Sequence, residues 1–172
     1  LSSPAFARPM TEVDLATLKR VAAPTASPDG RWVVFQQTDT EGDSYKRSTG
    51  LWLVDRNARD AKPVRVADTT GKNETSPAFA PDGSLYFVSN ASGTDQVWRI
   101  DLTAGATATQ VTQTKADVAG FKISPDGKRL LAWGDIPKEC TDFGCDAKDK
   151  GALVGPGSGR LYKDGAGFVR QW

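Results

Sequence analysis

The chain has 172 residues, 38% of them apolar and 25% charged, a composition that supports a buried core and excludes a disordered polypeptide. Its 22 basic and 21 acidic residues are interspersed and leave a net charge of +1, which offers no electrostatic footprint for nucleic acid or an anionic membrane; no apolar run is long enough to span a bilayer as a helix. Histidine is absent, so neither a Ser-His-Asp nor a Cys-His site can be assembled from this chain alone, and the usual zinc sites lose their commonest nitrogen ligand. No catalytic residue, metal ligand or cofactor site is expected within it.

Residues 1–9 carry an Ala-x-Ala pattern at Ala5-Phe6-Ala7, followed by Arg8. They read either as the remnant of an export signal or as an ordinary disordered start. A helix is expected over 11–20. Thr11 is its N-cap, Asp14 occupies the capping-box position in place of Glu, and Met10 can staple onto Leu15. Leu15, Leu18 and Val21 would share one face, and Pro24 would end the helix.

From there the pattern is strands and turns. Ser27-Pro28-Asp29-Gly30 leads into Trp32-Val33-Val34-Phe35, Ala80-Pro81-Asp82-Gly83 into Leu85-Tyr86-Phe87-Val88, and Ser124-Pro125-Asp126-Gly127 into Leu130-Leu131-Ala132-Trp133. Pro presets φ at the first corner, Asp can bond its own backbone, and Gly takes the left-handed exit position. The apolar runs after the turns do not alternate, which predicts strands buried on both faces. Further strands are expected at 51–55, 63–67, 96–102 and 108–113, with a polar excursion over 38–50.

The spacing between turn prolines is 53 and then 44 residues, the length of a four-stranded propeller blade, about 40 to 50 residues. The expected fold is therefore all-β: a short N-terminal helix and a partial β-propeller, with blade one at about 21–68, blade two at about 73–113, and part of a third at about 117–172. That third unit is interrupted by a polar insertion, 135–167, before a strand at Phe168-Val169-Arg170-Gln171-Trp172. Closed propellers need about four to eight blades, so either further copies close the ring or the chain is a piece of a longer polypeptide; the second is more economical. Expressed alone, the chain is expected to fold poorly, because blade faces built for neighbours would stay exposed.

Few residues suggest chemistry. Cys140 and Cys145 are either a metal or redox pair or, the favoured reading with two sulfurs and no His, a short disulfide pinning the insertion in an oxidising compartment. Asp142-Phe143-Gly144 matches a kinase metal-binding tripeptide without any supporting nucleotide loop, and Gly155-Pro156-Gly157-Ser158-Gly159 misses both phosphate-loop spacings. Asn73-Glu74-Thr75 and Asn90-Ala91-Ser92 are formal glycosylation acceptors. The aromatic set Trp32, Trp52, Phe79, Tyr86, Phe87, Trp98, Phe121 and Trp133 follows the repeat and is assigned to the core.

Met10-Thr11-x-x-Asp14-Leu15-x-x-Leu18-x-Arg20-Val21, running into Pro24-x-x-Ser27-Pro28-Asp29-Gly30-Arg31-Trp32, resembles the mature N-terminus of bacterial prolyl oligopeptidase family serine peptidases of the dipeptidyl-peptidase and acylaminoacyl-peptidase branch. Ser89-Asn90-x-Ser92-Gly93-x-x-Gln96-Val97-Trp98-Arg99, Asp117-Val118-x-x-Phe121-x-x-Ser124-Pro125-Asp126-Gly127, the Cys140/Cys145 loop and Phe168-Val169-Arg170-x-Trp172 extend the likeness over roughly residues 9–172. The resemblance implies a propeller that shapes and gates a chamber for short peptides. It implies a C-terminal α/β-hydrolase domain outside this chain, on the same polypeptide or a cleaved fragment, that holds Ser, Asp and His, and a periplasmic or secreted location. Arg170 and Trp172 are the candidates for the substrate side, although the family's Arg-His-Trp-Asp reads Arg-Gln-Trp here, and the paired acidic residues some dipeptidyl members use to grip the substrate amine have no Glu-Glu counterpart. The alternative is a non-enzymatic periplasmic propeller that binds protein partners.

Overall fold

The computed structural model describes residues 8–40, 44–67, 72–103, 106–136 and 140–145. Helix α1 spans Glu12–Thr17, with Thr11 as N-cap. The Thr11 Oγ1 accepts from the Asp14 N–H at 3.2 Å and the Asp14 carboxylate accepts from the Thr11 N–H at 2.9 Å, closing the capping box. Arg8 pairs with the same carboxylate.

The helix is shorter than the 11–20 expected, because its apolar stripe finds nothing to pack on: Leu15, Leu18 and Val21 all remain exposed. A helix this short rests on its cap and not on burial. From Arg20 onward the backbone instead pairs as a strand, β1 (Arg20–Ala26), and Pro24 lies inside it. Pro24 sits at a bulge, where the register shifts between Ala22 and Thr25 and Ala23 takes φ 48°. A residue without an N–H is tolerated where the ladder is already interrupted.

Three antiparallel sheets follow in chain order. The first is β1-β2-β3-β4, with β2 at Trp32–Thr40, β3 at Arg47–Asp55 and β4 at Val64–Arg65. The second is β5-β6-β7-β8, with β5 at Glu74–Phe79, β6 at Leu85–Ser89, β7 at Gln96–Ile100 and β8 at Thr109–Gln110. The third is a pair, β9 (Gly120–Ile123) and β10 (Leu130–Trp133). Strand β5 repeats the bulge of β1 at the equivalent proline, Pro77, with Ser76 at φ 54°. Both bulged strands escape a reading by apolar pattern, since β1 is exposed along most of its length.

The expected polar excursion over 38–50 is largely hairpin: Thr38 pairs with Thr49, Asp39 with Ser48 and Thr40 with Arg47. Threonine is a good strand former despite its polarity, and the Thr38 and Thr49 hydroxyls meet across the strands at 2.9 Å. The outer strands β4 and β8 are shorter than predicted.

The turns behave as read. Gly30, Gly83 and Gly127 have φ of 71°, 85° and 70°, and each donates its N–H back to residue 27, 80 or 124 at 2.8–3.0 Å. Register is equivalent in the first two sheets, where Phe35 pairs with Trp52 and Phe87 with Trp98.

The core lies between sheets, in two layers. Val34 and Leu51 of sheet one pack against Leu85, Phe87 and Ile100 of sheet two. Val88 and Val97, on the other face of sheet two, pack against Phe121 of sheet three and Val118, with Tyr86, Ile123, Leu130 and Ala132 at the margin. Alternate residues of β6 thus serve opposite neighbours, and the prediction of burial on both faces holds for this strand. In β10 one face is bare: Leu131 and Trp133 are exposed. Trp133 therefore leaves the core set assigned from the sequence; its ring lies over Gly120, where a Cβ would come within 2.5 Å of it.

Candidate functional site

The strand directions assign every connection to one of two rims. One rim carries the three Pro-Asp-Gly turns and the β3–β4 and β7–β8 links. The other carries the β2–β3 and β6–β7 turns, the links between successive sheets, and the segment leaving β10.

Carboxylates at the first rim are occupied by their own turns. Asp29 accepts from the Ser27 hydroxyl at 2.5 Å and the Arg31 N–H at 3.0 Å, Asp82 from the Ser84 hydroxyl at 2.6 Å and N–H at 2.9 Å, and Asp126 from the Ser124 hydroxyl at 2.5 Å and the Lys128 N–H at 3.1 Å. The serine hydroxyl bond, with the backbone bond behind it, holds each carboxyl below its ordinary range. Asp55 and Asp101, which follow the two central tryptophans by three residues, pair with Arg31 and Arg99 at 2.9 and 2.8 Å. A cavity of about 420 Å³ lies between the first two turns, walled by Trp32, Leu102 and these bonded side chains. It can take solvent or a small polar group; its two serine–aspartate pairs, Ser27 with Asp29 and Ser84 with Asp82, are each part of a turn's own hydrogen bonding.

The second rim carries the links between successive sheets, and it is the candidate functional rim. Its centre is the connector from β8 to β9, residues 111–119. Gln96, fully buried at the start of β7, holds this connector from one side. Its Nε2 donates to the Thr114 and Ala116 carbonyls at 2.9 and 3.3 Å, and its Oε1 accepts from the Thr112 hydroxyl at 2.8 Å and the Thr114 N–H at 3.1 Å. The Phe143 carbonyl holds it from the other side, accepting from the Lys115 and Ala116 N–H groups at 3.0 and 3.2 Å. Phe143 lies between Cys140 and Cys145, whose sulfurs are joined, with Cα atoms 5.6 Å apart. Asp142, in the tripeptide that matched a kinase motif, accepts from the Gly144 N–H at 2.8 Å and shapes this small loop.

Two carboxylates meet at this rim. Asp117 accepts from the Asp95 N–H at 2.8 Å, and the Asp95 carbonyl accepts from the Val118 N–H at 2.7 Å. Partial burial pushes the Asp95 carboxyl up, and the neighbouring Asp117 charge adds to it.

The link from β4 to β5 has a second buried polar centre that a motif reading missed. Glu74, read only as the middle of a glycosylation acceptor, is wholly buried; it accepts from the Leu51 N–H at 2.9 Å and pairs with Arg65 at 3.3 Å. Asn73 accepts from the Thr49 N–H of sheet one at 3.0 Å, and Asn90 accepts from the Asn73 N–H beside it at the end of sheet two at 2.9 Å. The detectable signal was a charged residue opening a strand, set 24 residues after Gly50, a lone glycine in β3. Arg170, Trp172, the remainder of the 135–167 insertion and residues 1–7 lie outside the described residues. Among the described residues no group of three or more His, Cys, Asp or Glu side chains could hold a metal ion, and no helix is long and apolar enough to cross a membrane.

No protein-family model matches the chain. Two curated relatives do: Dipeptidyl-peptidase 5 of Porphyromonas endodontalis, 28% identical over 158 residues (90% of this chain and 21% of the relative), and Dipeptidyl-peptidase 5 of Porphyromonas gingivalis, 30% identical over 149 residues (86% and 20%). Both relatives support a likeness to the N-terminal propeller part of prolyl oligopeptidase-family peptidases. The chain spans about a fifth of the length of these relatives. Among solved structures, the acylaminoacyl peptidase of Pyrococcus horikoshii matches at TM-score 0.59 and 21% identity, over 78% of this chain and 20% of that one. An acylaminoacyl peptidase in complex with Z-Gly-Gly-Phe-chloromethyl ketone matches at TM-score 0.57 and 21% identity, over 77% of this chain and 20% of that one. These two likenesses concern the fold, a succession of antiparallel sheets.

Proposed function

We propose that the chain forms the first two four-stranded blades and part of a third in the β-propeller of an exported serine peptidase, where it walls and gates a chamber that admits short peptides. The reaction is amide hydrolysis by a Ser-Asp-His triad carried in an α/β-hydrolase domain outside this chain. The chain itself contributes rigid sheets and the rim built around residues 111–119, with the 135–167 insertion and Arg170 and Trp172 placed toward the substrate. One observation carries this reading: the 30% identity to a dipeptidyl peptidase extends over 149 residues, 86% of the chain.

The physical fit is direct. Stacked sheets with cores between them give a stiff wall, and a stiff wall with longer links on one rim can exclude folded proteins by size while its links touch a peptide. The experiment is active-site labelling of the intact protein with a serine-directed phosphonate, with hydrolysis of dipeptidyl and N-acylaminoacyl chromogenic amides measured alongside. The expected result is labelling that maps outside residues 1–172 together with cleavage of short substrates but not folded ones. Failure of the intact protein to label or cleave would favour a partner-binding propeller.

A further inference from the structure

The ring closed by Cys140 and Cys145 is small, since the two residues are only five apart in sequence. A cross-link over so short a loop removes little freedom from the unfolded chain, because the entropic effect grows with loop length. What it fixes is local. Among the described residues, the group of this loop that reaches another part of the fold by a backbone hydrogen bond is the Phe143 carbonyl, which accepts two successive N–H groups, those of Lys115 and Ala116. Its ring also lies close to Gly134, where a Cβ would stand 3.1 Å from Phe143 and 2.3 Å from the Asp117 carbonyl. Loop, end of β10 and connector are therefore in mutual contact.

Residues 112–116 of the connector are held from two sides, and residues 117–119 are bonded separately to Asp95 and Trp133. Gln96 grips residues 112–116 from sheet two through the bonds described above, and the disulfide loop grips 115–116 from beyond sheet three. Asp117, next along the chain, is bonded to the Asp95 N–H and so sets the carboxylates of the rim. The two sulfurs differ in access: Cys140 is buried, whereas Cys145 is only half-buried.

We propose that the Cys140–Cys145 disulfide is a thiol-sensitive latch on the rim: oxidised, it holds the Phe143 carbonyl against the Lys115 and Ala116 amides; reduced by a dithiol, it releases those two amides while sheet two, with Asp117 and Val118 bonded to Asp95, stays in place. The chemistry is ordinary exchange. A thiolate of the dithiol attacks the more accessible Cys145 sulfur, the S–S bond breaks, and Cys140 leaves as a thiolate that takes a proton. The second thiol of the reductant attacks the mixed disulfide and frees Cys145. Two electrons and two protons pass to the protein, and the dithiol leaves as its own disulfide. This inference is independent of the peptidase reading, since it concerns only the shape of the rim.

Hydrogen exchange on the intact protein, oxidised and then treated with dithiothreitol, tests it, with thiol alkylation and mass measurement reporting the state of the two cysteines. Reduction is expected to speed exchange at the Lys115 and Ala116 amides by at least about tenfold while the Thr114 amide, held by Gln96, and the β6–β7 amides keep their rates. A C140S/C145S variant without reductant should show the same pattern. Unchanged rates at 115 and 116 after full reduction would overturn the latch. So would loss of protection throughout sheet two, which would make the bond a general staple, or a disulfide that dithiothreitol fails to open in the folded protein.

Discussion

The Glu74 carboxylate, wholly buried at the start of β5, accepts a hydrogen bond from the Leu51 N–H of β3 at 2.9 Å and so joins the first sheet to the second. Arg65 completes the centre by lying across Gly50, where a Cβ would fall 1.3 Å from its guanidinium, and over the Trp52 ring at 5.8 Å. Three residues from three strands are thus needed for one buried charge. Glu74→Ala is expected to lower stability by about 1–3 kcal/mol, because it leaves a buried N–H without a partner and a half-covered guanidinium without its anion. Glu74→Gln should recover part of that loss, since an amide oxygen can still accept from Leu51. Gly50→Ala should approach the Glu74→Ala loss by displacing Arg65. Denaturant midpoints of the three variants of the intact protein check the order.

Gln96 makes the second such centre, and its chemistry predicts a different substitution pattern. The amide uses both ends, donating to the Thr114 and Ala116 carbonyls and accepting from Thr112 and Thr114. Gln96→Leu fills the space but orphans both sets, at a cost of about 2–4 kcal/mol when several buried partners are left together. Gln96→Glu keeps the accepting end and turns the donating end against two carbonyl oxygens, so it should be no better than Leu at neutral pH and improve in acid, where a protonated carboxyl can donate. Thermal melts of both variants at pH 7 and pH 4.5 read this, and a Glu variant insensitive to pH would argue against the assigned amide orientation.

These centres mark where a sequence reading stops. The turns were legible because Pro, Asp and Gly each have a local reason to be there, and β6 was legible because it is apolar on both faces. Strands β1 and β5 were not, since their prolines and polar residues are tolerated only by bulges, and a bulge is a property of the pair of strands. Glu74 and Gln96 look like ordinary surface residues in the sequence. Their burial depends on partners 23 and 18 residues away, Leu51 and Thr114, which no local pattern connects. The helix length failed for a related reason: apolar spacing predicts a face, and Leu15, Leu18 and Val21 have a face without a neighbour among the described residues.

The three Pro-Asp-Gly turns should make the fold acid-sensitive. Asp29, Asp82 and Asp126 are each held below the ordinary aspartate range by a serine hydroxyl and a backbone N–H. A carboxyl depressed in the folded state stabilises it at pH above the unfolded value, near 3.9, and that contribution disappears as pH falls through the folded value. The expected profile is a melting temperature that drops steeply below about pH 4. A triple Asp→Asn variant at 29, 82 and 126 keeps an accepting oxygen but cannot titrate, so its profile over the same range should be flatter. Equal slopes would mean that other carboxylates dominate acid unfolding.

The bare face of β10 supplies the last prediction. Leu131 and Trp133 are 65% and 45% exposed on the side of sheet three that faces away from sheet two, and Met10, Leu15 and Val21 are exposed near the start of sheet one. Blade faces of this kind are normally covered by the next sheet in a propeller, and an apolar surface left open drives association. The 172-residue chain expressed alone should therefore self-associate in a concentration-dependent way, detectable by sedimentation, and bind a hydrophobic dye. Replacing Leu131 and Trp133 with Ser and Gln should reduce both signals without weakening the core between sheets one and two, because neither side chain enters it. The Trp133 ring lies over Gly120, and the residues of β10 that do pack inward, Leu130 and Ala132, belong to the other face. A wild-type chain that sediments as a monomer and melts in one sharp transition would show that these faces are not built for neighbours, and would remove the physical basis for reading the sheets as part of a larger ring.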